Sequence, residues 1–148
     1  MKLTIERRDL FKVPDDYILC HCISSDFALG AGVAKKFAEL GVKDELFRQY
    51  NKLYPYSWNG VGDCLFTCVT EWQGEYNLVT KEKYWHKPTE STLRHALVCM
   101  KAMCDEHEKI AMPKIGCGLD KMKWEIVEQI IREVFNGSNV EILVCEWK

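Results

Sequence analysis

An apolar, strand-like segment that runs into a Gly-x-Gly and then into a helical stretch occurs twice in this chain, and that order constrains its fold more than any other feature. The first is "YILCHCI" (17–23), followed by "SSDFALGAGVAKKF" with Gly30 and Gly32. The second is "KIAMPKI" (109–115), followed by "GCGLDKMKW" with Gly116 and Gly118.

The other segments continue the alternation. "KLTIE" (2–6) reads as a short edge-like strand, and "DCLFTCVT" (63–70) and "EYNLVTKE" (75–82) as strands joined like a hairpin across "EWQG". Helices are expected over 33–40 and 43–54, broken at Gly41. Thr89 caps a third over about 90–107, with Leu93, Ala96, Leu97, Met100 and Cys104 on one face. A fourth, from about 123, carries Val127, Ile130, Ile131, Val134 and Phe135 at three-and-four spacing before a last strand over 140–147. Helices interleaved with apolar strands predict an α/β fold, a three-layer α/β/α sandwich with a mixed central sheet, as a single domain over residues 1–148. In such sheets ligands sit beyond the carboxyl ends of the strands.

Composition limits what the chain does. No apolar run approaches the roughly 18 residues of a membrane span, and "MKLTIERRDLFK" is charged where a signal peptide is apolar. The expectation is a cytoplasmic or nuclear monomer with no membrane partner. The eight cysteines sit mostly inside apolar segments and read as small buried hydrophobes. No Cys-x-x-Cys pair exists, and strand neighbours such as those in Cys20-His21-Cys22 point to opposite faces, so no metal is expected. A net charge of −2 disfavours a broad nucleic-acid surface, which must neutralise many phosphates, but leaves open a small anion held by a few directed groups. Trp58 and Trp72 either mark a partner surface or pack locally.

The loops after the strands carry the chemistry. Glycines bring backbone N–H groups close to a ligand, and a helix N-terminus favours negative charge, so each Gly-x-Gly loop can cradle a phosphate or be only a tight turn. Two such loops in one domain favour a diphosphate. Neither GxxxxGK[ST] nor GxGxxG is present, which argues against kinase-like phosphoryl transfer. A third strand end, "NLVTKEKYWHKPT", holds Lys81, Lys83, His86 and Lys87. Lys83 and Lys87 read as a solvated exit loop. Lys81 directly follows the strand, so a rigid element holds it as an electrostatic clamp or as a nucleophile toward a carbonyl carbon.

"HCISSDFALGAGVAKKF", "LVTKEKYWHKPT" and "MPKIGCGLDKMKWE", in this order, resemble the macrodomain superfamily, most closely its branch of terminal ADP-ribose protein glycohydrolases that also deacetylate O-acetyl-ADP-ribose. The resemblance runs from "RRDLF" to the last strand. It implies that Asp9 and Leu10 receive adenine and that Ser24 and Asp26 approach the distal ribose. Gly30, Ala31, Gly32 and Val33 then bracket the diphosphate together with Lys114, Ile115, Gly116, Cys117, Gly118 and Leu119. Lys114 stands where close relatives are expected to carry arginine, turning a bidentate contact into a point charge, and "SSDF" replaces a more acidic stretch. The resemblance also implies that Lys81 attacks the distal ribose carbon while Asp120 shuttles protons, without metal or cofactor. The competing roles are a phosphate contact for Lys81 and a helix cap for Asp120.

The activity so implied removes ADP-ribose from acidic side chains, or acetyl from O-acetyl-ADP-ribose. The alternatives are ADP-ribose 1″-phosphate hydrolysis, action on nucleic-acid-linked ADP-ribose, and non-catalytic ADP-ribose reading.

Overall fold

The computed structural model describes residues 1–50 and 60–146, so Trp58, the expected helical residues 51–54 and the last residue of the expected 140–147 strand lie outside the described residues. Strands β1 (Lys2–Arg7), β2 (Tyr17–Ser24), β3 (Cys64–Cys68), β4 (Gly74–Lys81), β5 (Lys109–Met112) and β6 (Glu141–Glu146) form one sheet in the order β1-β6-β5-β2-β4-β3. All neighbours are parallel except the β3–β4 hairpin, so the sheet is mixed.

Helices α1 (Gly32–Glu39) and α2 (Val42–Tyr50) cover one face, where Phe37, Val42 and Leu46 meet Leu19, Ile23 and Val79. Helices α3 (Glu90–Met103) and α4 (Trp124–Val134) cover the other, where Leu93, Ala96, Leu97, Met100, Val127, Ile130 and Ile131 meet Cys20, Leu78, Ile110 and Ile142. Burying both faces of the central strands takes their apolar side chains out of water, a gain of about 25 cal/mol per Å². No helix among the described residues is long and apolar enough to cross a membrane.

Several boundaries differ from the sequence expectation for local reasons. β5 ends at Met112, because Pro113 has no N–H for the ladder. α3 ends at Met103 rather than near 107, since Cys104 turns to extended backbone (φ −74°, ψ 141°). Its start is as expected: Thr89 and Thr92 form a reciprocal capping box. The cysteines are all free, with Cys20, Cys64 and Cys145 buried, but Cys68 lies exposed at the end of β3. His21 points away from Cys20 and Cys22, its ring lying on Phe37 at 4.0 Å between centroids. Trp72, in the β3–β4 turn, is 77% exposed.

One irregularity sets the direction of Lys81. Ile23 pairs with Val79, but Ser24 pairs with Lys81, so Thr80 is an extra residue in β4. Strict alternation would send Lys81 to the face of Val79. The bulge instead sets it opposite Ser24, in phase with Cys22 on the α3/α4 side.

Candidate active site

Because β2, β4 and β5 are adjacent and parallel, the loops that follow them gather at one edge of the sheet. They enclose a cavity of ≈ 740 Å³, walled by the β2–α1 loop and the start of α1 on one side and the β5–α4 loop on the other. Lys81 and Asp120 line it, as do Ser24, Gly30, Ala31, Gly32, Val33, Lys114, Ile115, Gly116, Gly118 and Leu119.

Lys81 Nζ donates to Asp120 Oδ1 at 2.7 Å, and the two side chains are only 15% and 13% exposed. The helix-cap role for Asp120 does not hold. α4 begins after Lys123, which supplies no side-chain cap, and the Asp120 carboxylate faces Lys81 instead. Cys22 forms the wall beside this pair. Burial first, then the Asp120 carboxylate, push its thiol up to about 12, so it stays a neutral thiol.

Each glycine loop contains one residue whose left-handed backbone favours glycine. Gly32, the first residue of α1, has φ +60° and Gly116 has φ +74°. A Cβ on Gly116 would also stand 3.0 Å from Met122 Sδ, in a turn closed by Met122 N–H donating to Gly116 O at 2.8 Å. Ala31, preceding α1, offers no side-chain acceptor, which leaves the first-turn N–H groups of α1 without a side-chain cap. The two loops approach each other, as a Cβ on Gly32 would meet Leu119 Cδ1 at 3.8 Å.

The β4–α3 loop closes the third side. Lys87 Nζ donates to Leu119 O at 2.7 Å, spanning from this loop to the β5–α4 loop, so Lys87 is more than the solvated exit residue expected from sequence. Lys114 Nζ lies 3.5 Å from Glu146 and 5.6 Å from the Trp124 ring centroid, giving its point charge two neighbours at the cavity edge.

Four expected residues do not line the cavity. Asp9 caps a single 3-10 turn, Leu10–Lys12, its Oδ1 accepting from Phe11 N–H at 3.0 Å. Leu10 is apolar and buries in the α1/α2-side core. Asp26 serves the loops rather than the cavity: Oδ1 accepts from Ser24 Oγ at 2.5 Å and Ala28 N–H at 3.1 Å, and Oδ2 from Tyr84 N–H at 3.1 Å. Cys117 turns toward the α3/α4-side core, its Sγ donating to Ile115 O at 3.4 Å.

Sequence reasoning missed Tyr84, Leu29 and His21 in the lining. Phe27 (φ 53°) and Leu29 (φ 43°) hold left-handed backbone without being glycine, which composition does not signal. His21 belongs to a buried polar network on β2–β4–β3. Asn77 Nδ2 donates to Leu65 O (3.1 Å) and Thr67 Oγ1 (2.9 Å), which fixes its Oδ1 as the acceptor of His21 Nε2–H at 2.6 Å. Thr67, having accepted from Asn77, donates to Glu75. Burial raises the Glu75 carboxyl to about 8 and lowers His21 to about 4, so both are uncharged at neutral pH.

A family model described as Macro domain matches residues 20–131. Among curated relatives, the ADP-ribose glycohydrolase OARD1 of Bos taurus is 38% identical over 148 residues, covering 97% of this chain and 90% of that protein. The Homo sapiens protein of the same name is 36% identical with the same coverage. Among solved structures, the macrodomain of Thermus aquaticus DarG superposes with a TM-score of 0.77 at 21% identity, covering 97% of both chains.

Proposed function

The chain belongs to the Macro domain family, and we propose that it is an ADP-ribose hydrolase, releasing ADP-ribose from modified acidic side chains and acetyl from O-acetyl-ADP-ribose. The observation that carries this reading is the shielded Lys81–Asp120 pair, 2.7 Å apart, in a cavity with a glycine loop on either side. The glycine loops hold the diphosphate on their N–H groups, and the distal ribose reaches the pair. The bovine and human relatives are both called ADP-ribose glycohydrolases.

The chemistry follows from the pair. Lys81 passes a proton to Asp120, and its neutral amine bonds to the ribose carbon that carries the ester. The carbon–oxygen bond to the acyl group breaks and the carboxylate leaves with the bonding electrons. Asp120 then gives its proton to the ring oxygen as the ring opens, and takes one from the cationic nitrogen as the carbon–nitrogen bond becomes an imine. Water adds across the imine, and its collapse frees the amine and ADP-ribose. The cavity is built by loops of one chain, and we take the monomer as the active form.

The test is a product assay with glutamate-linked mono-ADP-ribosyl protein, O-acetyl-ADP-ribose, ADP-ribose 1″-phosphate and nucleic-acid-linked ADP-ribose side by side. Turnover of the first two is expected. Phosphate release alone, turnover of the nucleic-acid conjugate alone, or ADP-ribose binding without any product, would each replace this reading.

A further inference from the structure

Beyond the Lys81–Asp120 pair, the rim of the cavity exposes two large aromatic rings that have no part in the ester chemistry. Tyr84 and Trp85 are each 63% exposed and meet edge to face at 5.0 Å and 87°. Tyr84 lines the cavity, and Leu119, 64% exposed, forms the opposite lip. We propose that Lys83, Tyr84 and Trp85 form an acceptor-side subsite that grips a short acidic peptide bearing the ADP-ribose. This rests on the hydrolase reading, since the group leaving the ribose carbon must exit past Lys81 and Asp120.

The rim is held in place before any ligand arrives. Tyr84 N–H is fixed by Asp26 at 3.1 Å, Ser25 Oγ donates to Glu82 O at 3.0 Å, and His86 N–H to Lys83 O at 3.0 Å. Lys87 ties the far end to Leu119 O at 2.7 Å. Little ordering entropy is therefore lost on binding, and exposed Tyr and Trp on a rigid turn are what protein-recognition hot spots are made of.

Charge selects the partner. Lys81 is paired with Asp120 and Lys87 with Leu119 O, whereas Lys83 makes no ion pair among the described residues. One uncommitted ammonium suits one or two flanking carboxylates. A nucleic-acid strand typically needs about 6–10 phosphate contacts, which a chain of net charge −2 with this local patch does not offer.

Trp85→Ala and Lys83→Glu test the subsite against two substrates, a glutamate-linked mono-ADP-ribosyl peptide with acidic flanks and O-acetyl-ADP-ribose, whose leaving group is too small to reach the rim. For the peptide, each variant should raise KM about fivefold. For O-acetyl-ADP-ribose, kcat/KM should stay within about twofold. Equal loss on both substrates, or no change on the peptide, would overturn the subsite. A defect confined to an ADP-ribosylated oligonucleotide would assign the rim to nucleic acid instead. If the unmodified enzyme turns over neither substrate, the hydrolase reading fails, which is a different result.

Discussion

Asp26 Oδ2 accepts the backbone N–H of Tyr84 at 3.1 Å, joining the loop after β2 to the loop after β4. The same carboxylate holds Ser24 Oγ and Ala28 N–H, so one side chain positions two walls of the cavity. Asp26→Ala should speed hydrogen exchange at the Tyr84 amide and lower kcat/KM about tenfold, the equivalent of 1.4 kcal/mol. Unaltered exchange would show that the amide is protected by something else.

The two members of the central pair should fail differently. Lys81→Ala should abolish release of ADP-ribose from a glutamate-linked substrate while leaving ADP-ribose affinity within about tenfold. Asp120→Ala should slow turnover and accumulate a lysine adduct, seen as a mass increase of the intact protein. Full activity in either variant removes that residue from the chemistry.

The buried His21–Asn77–Thr67–Glu75 network makes stability depend on pH. Glu75 keeps its proton to about 8 when folded against an ordinary 4.5, so its contribution is complete below 4.5 and is lost as pH rises toward 8. His21 is lowered from 6.5 to about 4, so its contribution is lost as pH falls from 6.5 to 4. The two slopes cancel between 4.5 and 6.5. Tm should be level there and fall from 6.5 to 8, and Glu75→Gln should flatten the fall; an unchanged alkaline decline in that variant would point to other groups.

Gly116 and Gly118 should separate in their response to alanine. Gly116→Ala forces a Cβ into left-handed backbone against Met122, at a cost of about 1–2 kcal/mol read from denaturant midpoints. Gly118→Ala meets nothing within 4 Å and should leave stability within about 0.5 kcal/mol. Any loss of ADP-ribose affinity in Gly118→Ala then reports how closely ligand approaches the backbone.

The elements were legible because period and punctuation agree: α4 has apolar residues at three-and-four spacing, and Gly41 separates α1 from α2 where a break is expected. Lys81 and Asp120 were legible as residues at strand ends, and as a pair only through the family resemblance, since their 39-residue separation is bridged only by the sheet. The alternating "EYN" of β4 read as a strand without revealing that Glu75 and Asn77 are buried, because burial depends on helices far along the chain. Asp26 was expected to approach the distal ribose, and only the fold shows its carboxylate accepting from Ser24, Ala28 and Tyr84.

Thr80 gives the active site a dependence on chain length rather than on side-chain identity. Adding one residue to β2 between Ile23 and Ser24 would give Thr80 a partner, restore unbroken alternation and turn Lys81 to the face of Val79, beneath α1, with every functional side chain still present. Substitution scanning would pass over this dependence, whereas a single-codon insertion after Ile23 would disconnect the lysine from Asp120. In comparing relatives, the number of residues in β2 against β4 ahead of Ser24 and Lys81 is therefore as informative as the lysine itself.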